Sequence, residues 1–251
     1  MILDEIIRRT EKRVARLPET FPDPPDRDHA CLKDAIRSRN GRTAVIAEIK
    51  CASPSRGVIR RNVDMQMMAR VLVGGGCTAL SILTEPHYFG GSVRDIPRVA
   101  EAVSVPVLRK DFVIDTRQLD ETYALGADAV LLIAAVLGEK LPSYVDYALD
   151  TGLEPLVEVH TRTEAAEALS TRAEIIGINN RNLATFTIDR STTRTLSGEI
   201  RSSGRLVISE SGMRSADDVR ELKPFCDAFL IGSSIMSDEN PQKKLEEFVC
   251  A

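Results

Sequence analysis

At 251 residues, with 43% hydrophobic and 28% charged side chains, the chain can bury one substantial core and is expected to form a single soluble domain. Its formal net charge of −4 comes without a basic stripe, which gives no electrostatic reason to expect nucleic acid or an anionic membrane surface as a partner. The longest uninterrupted apolar run, 129–137, falls far short of the roughly 18 residues that span a bilayer.

The first seventeen residues mix Asp4, Glu5 and Glu11 with arginines, so no signal peptide is expected and a cytoplasmic location is. The cysteines number five, Cys31, Cys51, Cys77, Cys226 and Cys250, with no C-x-x-C pair, and read as reduced thiols. Three scattered histidines and the lack of an H-E-x-x-H motif or Cys/His cluster give no reason to expect a metal.

Along the chain, Ile2, Leu3, Ile6, Ile7, Val14 and Leu17 recur at helical spacing and predict an amphipathic helix over 2–17. It ends before Pro22, Pro24 and Pro25. A shorter helix over 31–39 leads through Asn40-Gly41 into the first strand. These 42 residues read as an extension of the domain that follows. From Thr43 onward, short apolar strands alternate with longer helical patterns, the rhythm of parallel strands joined by helical crossovers. Strands are predicted at 43–51, 78–83, 107–109, 129–133, 155–159, 175–179, 206–209 and 228–231. Helices are predicted at 63–73, 95–103, 116–125, 140–151, 163–169, 191–197, 216–222 and 241–249. Cys77-Thr78-Ala79, Ala127-Asp128-Ala129 and Cys226-Asp227-Ala228 each open an apolar strand and form a faint internal repeat. Eight such units predict one α/β domain, a (β/α)8 barrel over 43–251 carrying an N-terminal helical extension over 1–42. A doubly wound open sheet would carry fewer parallel strands and a glycine fingerprint after the first, which is absent.

Seven of the eight predicted strands end in polar groups: Glu48 and Lys50, Ser81, Lys110, Glu158, Asn179 and Arg181, Glu210-Ser211-Gly212, and Gly232-Ser233-Ser234. Any one of these suits an ordinary solvated strand end; in a barrel all of them would converge on one mouth. Glu48 and Lys50, two residues apart, project to the same side of a strand. Ser53-Pro54-Ser55-Arg56-Gly57 then reads as a mobile polar loop. Gly212, Gly232 and Ser233 place backbone N–H groups and a hydroxyl where such barrels hold phosphate, although turn glycines and cap serines would look the same. Lys50 and Lys110 would lie near one another with Glu48 and Glu158 alongside. A lysine crowded by another cation, or partly desolvated, titrates lower and can donate a proton, while neighbouring carboxylates hold it charged, so one lysine can bind an anion and the other act as acid. Cys51 points away from the Glu48–Lys50 face and is not read as a nucleophile, and His160 reads as a solvated loop histidine.

Together the segments E-I-K-C-A-S-P-S-R-G (48–57), L-S-I-L-T-E (80–85), Y-F-G-G-S (88–92), V-L-R-K-D-F (107–112), G-A-D-A-V-L-L-I (126–133), E-P-L-V-E-V (154–159), G-I-N-N-R-N-L (177–183), S-E-S-G (209–212) and F-L-I-G-S-S (229–234) resemble the indole-3-glycerol phosphate synthase family of tryptophan biosynthesis. The resemblance implies cofactor-free ring closure of 1-(2-carboxyphenylamino)-1-deoxyribulose 5-phosphate, with loss of carbon dioxide and water. By position it makes Lys110 the principal general acid and Glu158 the carboxylate of the later proton transfers. It gives Lys50 either anion binding or a further acid step. Glu48, Asn179 and Ser211 match polar groups around the reacting centre, Arg181 a substrate-contacting arginine, Ser53 the carboxylate end, and Gly212, Gly232 and Ser233 the phosphate site. Ser81 is carried as a substrate-side strand end, and Phe89, Phe112, Leu131 and Leu183 are apolar candidates to cover the aromatic ring. The implied partner is a small molecule; a monomer or weak homodimer, and association with other tryptophan-pathway enzymes, stay open. The nearest rivals are phosphoribosylanthranilate isomerase, which relies on a Cys/Asp pair where this chain offers Lys/Glu, and a non-catalytic sugar-phosphate-binding barrel, which would not need every one of these charged groups. Cys51 stands where the family motif usually has lysine.

Overall fold

The computed structural model describes residues 2–38, 41–183 and 185–251. Its elements in chain order begin with α1 (Ile2–Val14), α2 (Leu32–Arg37), β1 (Ala44–Ile49), β2 (Ala52–Ser53), β3 (Gly57–Val58), α3 (Met65–Gly74), β4 (Ala79–Leu83), α4 (Asp95–Ala100) and β5 (Val107–Lys110). They continue with α5 (Arg117–Ala124), β6 (Ala129–Ile133), α6 (Ala134–Leu137), α7 (Leu141–Thr151), β7 (Glu154–Val159), α8 (Arg162–Leu169), β8 (Ile175–Asn179) and α9 (Ser191–Ser202). The last are β9 (Leu206–Glu210), α10 (Ala216–Leu222), β10 (Ala228–Ile231), α11 (Ser233–Met236) and α12 (Pro241–Val249).

Strand alternation sorts the side chains into two apolar layers. Val45, Ala47, Ile49, Leu80, Ile82, Val107 and Val130 face outward into the layer beneath the helices. Ala44, Ile46, Ala79, Leu108, Ala129, Leu131, Leu156, Ile175, Ile208, Ala228 and Leu230 face inward and fill the barrel. Both faces are buried, as parallel strands require, and the strands close in the order β1-β10-β9-β8-β7-β6-β5-β4. Continuing the inward alternation by one step on each strand brings Glu48, Lys110, Glu158, Asn179, Glu210 and Gly232 to the mouth at the C-terminal ends.

The faint sequence repeat has a physical basis. Thr78 Oγ1 accepts Val45 N–H at 3.2 Å, Asp128 Oδ2 accepts Val107 N–H at 2.8 Å, and Asp227 Oδ2 accepts Val207 N–H at 2.9 Å. In each case the residue before a strand satisfies an amide within the first two residues of the neighbouring strand, so the ladder starts with that donor paired.

The extension reaches both ends of the barrel. Leu32 and Ile36 of α2 are buried in the interior cluster, while the Glu154 carboxylate accepts Leu32 N–H and, at 3.2 Å, Lys33 N–H from the first turn of that helix. At the other end, Ile2, Leu3 and Ile6 of α1 line the mouth. Arg13 anchors α1 by an ion pair of 2.7 Å to Asp111.

The hairpin after Lys50 and two short helices depart from the sequence expectations, and one expected turn is not described. Arg39 and Asn40, at the predicted end of the second helix and its turn, lie outside the described residues. The segment after Lys50, expected to be an irregular loop, pairs Ala52 with Val58 and Ser53 with Gly57 as a two-stranded hairpin. The short helices α6 and α11 have too few residues for a periodic signal.

Candidate active site

The mouth encloses a cavity whose lining comes from every barrel strand, β4 contributing only Leu83, and from the hairpin and α1. Of the residues singled out from sequence, Glu48, Lys50, Ser53, Phe89, Lys110, Phe112, Leu131, Glu158, Asn179, Arg181, Leu183, Ser211, Gly212, Gly232 and Ser233 all line it. Ser81 does not. It is paired in register with Glu48 and is fully buried, and on β4 it is Leu83, level with Lys110, that lines the cavity. Cys51 lies off the cavity, and burial raises its thiol.

Lys110 is the centre of charge. Its Nζ donates to Glu158 Oε2 at 3.0 Å and stands 3.2 Å from Glu210 Oε2. The expectation that this lysine titrates low is overturned. Burial would lower it, but the charges of Glu158, Glu210 and Glu48 raise it above the ordinary lysine range. Three carboxylates outweigh desolvation.

The two carboxylates beside it are pushed apart. Burial raises Glu158, but Lys110, His160 and a hydrogen bond from Asn179 together hold it well below the usual range. Glu210 keeps the burial penalty and also feels Glu158 and Glu48, so it is raised to about 7 despite Lys110. Beyond the Lys110 ammonium at 3.2 Å, no donor among the described residues reaches either Glu210 oxygen. One acid ionised and one able to carry a proton near neutrality is the arrangement that acid–base chemistry needs.

Glycines make room for these carboxylates. A Cβ on Gly177 would lie 2.2 Å from Glu210 Oε1, and one on Gly232 would lie 2.6 Å from Glu48 Oε1. Gly232 therefore serves first as the slot for Glu48, and a side chain there would displace that carboxylate before reaching any ligand.

On the opposite wall, Lys50 Nζ lies 2.9 Å from Glu48 Oε1 and 5.6 Å from the centre of the Phe89 ring. Phe89 meets Phe112 at 6.2 Å between ring centroids. Its loop is held by the buried Glu85 carboxylate, which accepts the backbone N–H groups of His87, Tyr88 and Phe89 at 3.0, 2.7 and 3.1 Å.

The rim is cationic. Arg56, Arg181 and Arg214 all line the cavity, and the Arg181 guanidinium is lowered by burial and by the charges of Arg56 and Arg214, with Glu48 opposing. Near them Ser211 and Gly212 both adopt positive φ, 65° and 97°, and the Asn180 amide holds the Ser211 carbonyl at 3.1 Å. Strained backbone at a strand end is characteristic of ligand-contacting turns.

Sequence reasoning assigned no role to Glu210, Arg56, Arg214 or Gly177. Glu210 was legible in the S-E-S-G motif and in its alternation with Ile208; the two arginines needed the hairpin and the β9–α10 turn to place them. His160 is also not a solvated loop histidine: its ring is wedged between Glu158 and Glu164.

A closed parallel barrel whose mouth joins a lysine, split carboxylates and an arginine rim defines a (β/α)8-barrel enzyme of the acid–base type. Among solved structures, tryptophan synthase from M. tuberculosis in its aminoacrylate-bound form superposes with a TM-score of 0.64 at 14% identity, covering 88% of this chain and 98% of that one; the likeness is one of fold. The chain belongs to the indole-3-glycerol phosphate synthase family, whose model matches residues 3–248. It is 45% identical over 210 residues to the indole-3-glycerol phosphate synthase of Aquifex aeolicus, covering 82% of this chain and 81% of that protein. It is 42% identical to that of Caldanaerobacter subterraneus, covering 99% and 98%.

Proposed function

We propose that the protein is an indole-3-glycerol phosphate synthase, a carboxy-lyase that closes the indole ring of 1-(2-carboxyphenylamino)-1-deoxyribulose 5-phosphate in the cytoplasm. The observation that carries this reading is Lys110 held between an ionised Glu158 and a high-titrating Glu210 on the cavity wall. The substrate has a phosphate at one extreme and an aryl carboxylate at the other, so the site needs anion-binding groups at both ends and proton-transfer groups between them.

In this reading Lys110 polarises and protonates the ketone oxygen, and the ring carbon bearing the carboxylate attacks the carbonyl carbon. Breaking the aryl–carboxylate bond releases carbon dioxide and returns its electron pair to the ring. The hydroxyl then leaves as water with a proton supplied from the Lys110–Glu158–Glu210 cluster, and loss to a carboxylate of a proton from the methylene carbon beside the nitrogen forms the second double bond and completes the indole. Lys50, Arg181 and Ser53 take the anionic aryl end; Ser211, Gly212, Gly232 and Ser233 take the phosphate. Phe89, Phe112, Leu131 and Leu183 cover the ring, Glu48 orients Lys50, and Asn179 orients Glu158.

The test is incubation with the carboxyphenylamino-deoxyribulose phosphate while indole absorbance is followed. Indole-3-glycerol phosphate and carbon dioxide should form in equal amounts without added cofactor. A folded protein that binds the substrate and leaves it unchanged would instead be a sugar-phosphate-binding barrel.

A further inference from the structure

The Glu158 carboxylate has two sides. Oε2 faces Lys110 and the cavity, whereas Oε1 faces the His160 ring, whose Nε2 stands 3.4 Å away. His160 does not line the cavity. Its other nitrogen, Nδ1, is 3.2 Å from Glu164 Oε2, the same oxygen that accepts the His160 backbone N–H at 2.8 Å.

Glu164 is itself fixed. It is the third residue of α8, and its Oε1 accepts the hydroxyl of the N-cap Thr161 at 3.0 Å while its own N–H donates to Thr161 Oγ1 at 3.2 Å. The helix cap thus sets the glutamate and the glutamate sets the ring. Nδ1 is within hydrogen-bond distance of Glu164 while Nε2 makes an ion-pair contact, and no hydrogen bond, with Glu158 Oε1, so a carboxylate on each side favours the charged imidazolium.

We propose that His160 is a positioning residue for Glu158: backed by Glu164, it holds Oε1 from behind and keeps the group ionised, leaving Oε2 for Lys110. This rests on the synthase reading of the same site. The charged and polar groups around the pair are Lys110 on β5, Asn179 on β8, Glu210 on β9 and Glu164 on α8. Burial lowers the His160 titration, and Glu164, Glu158 and Glu210 together raise it above the ordinary histidine range.

The first measurement needs no substrate. ¹⁵N-NMR titration of the histidines should show His160 above its ordinary range, falling toward it in Glu158→Gln and in Glu164→Gln. A His160 that titrates at or below the ordinary range in the unsubstituted protein overturns the arrangement.

The second uses turnover of the carboxyphenylamino-deoxyribulose phosphate in single-turnover format. His160→Leu should lower kcat about tenfold, within the span of coupling between groups in contact, with KM within about twofold. In a Glu158→Gln background the same substitution should change kcat less than about twofold. An equal loss in both backgrounds, or a loss carried by KM, overturns the positioning role. Should His160→Leu fail to fold, Glu164→Gln replaces it, and a kcat within twofold of the unsubstituted protein again overturns the proposal. If the unsubstituted protein turns over no substrate, the synthase reading fails while the titration still decides the His160 geometry.

Discussion

Lys50 and Lys110 carry the same charge in one cavity but have different surroundings, and that difference predicts how each fails. Lys110 touches two acid–base carboxylates, whereas Lys50 touches Glu48 and the Phe89 ring. Lys110→Met should lower turnover by about 10²–10⁴-fold, the usual cost of removing a positioned acid. Lys50→Met should act mainly on KM, as loss of a group that binds ground state and transition state alike does. Single-turnover kinetics of both variants separate the two. Because the carboxylates raise Lys110, its own titration lies beyond the working pH range, and Glu210, raised to about 7, is the group that titrates near neutrality. A carboxyl raised in the folded state binds its proton more tightly there than in the unfolded chain. Its contribution to stability is therefore full below the ordinary value of about 4.5 and is lost as pH rises through about 7. Glu210→Gln should consequently unfold at a higher temperature than the unsubstituted protein at pH 8, with little difference at pH 4.5. The same variant should lose turnover, and thermal unfolding at the two pH values checks the first half.

The element that most changes the picture of the site is the β2–β3 hairpin. Cys51 carbonyl accepts Ile59 and Arg60 N–H at 2.8 and 3.1 Å. From the far side Arg60 donates to the Asp238 carbonyl at 2.7 Å, and Arg56 reaches Ser237 Oγ at 3.4 Å. These few polar contacts, with Val58 exposed, make a segment that is folded yet weakly held, as a cover over a cavity must be. Arg60→Ala removes the shortest latch. Amides 52–60 should exchange faster in that variant, and KM should rise several-fold because Ser53 and Arg56 line the cavity. Hydrogen exchange that shows this segment as protected as the barrel strands in both proteins would argue against a cover.

Across the whole molecule, a buried ion network ties the extension to the barrel. Asp111 accepts from Arg13 at 2.7 Å, Thr84 Oγ1 at 2.6 Å, Arg109 at 3.1 Å and its neighbour Phe112 N–H at 2.8 Å. The fully buried Arg109 also pairs with Glu121 and donates to Gln118 and Thr122. Burial would raise the Asp111 carboxyl, but Arg109 and Arg13 hold it below the usual range. A carboxyl depressed in the folded state stabilises above its ordinary value of about 3.8, and that contribution is lost as pH falls through its folded value. Asp111→Leu removes the carboxylate that Arg13 and Arg109 share, leaving the buried Arg109 only Glu121 as a counter-charge, and should cost about 3 kcal/mol at pH 7. Urea unfolding should show that penalty shrinking below about pH 4, where the unsubstituted protein loses the same contribution.

Chain order alone determined the barrel, because the alternation of apolar strands and helical spacing is a local signal that repeats eight times. It also determined most of the mouth. On a parallel strand the inward face follows from period-two alternation, so Glu48, Lys110, Glu158 and Asn179 could be placed without coordinates. Ser81 escaped this logic because the stagger between strands, which decides the height of a side chain in the barrel, is a property of closure and not of any one strand. Only the tertiary structure decided the electrostatics. Whether Lys110 titrates high or low depends on how many carboxylates reach it from other strands, and those come from positions up to a hundred residues away. The slots at Gly177 and Gly232, the arginine rim and the His160–Glu158 contact are likewise distances between separate elements. A linear sequence holds the residue types for such contacts, but their sign and strength depend on separation and burial, which exist only once the barrel has closed.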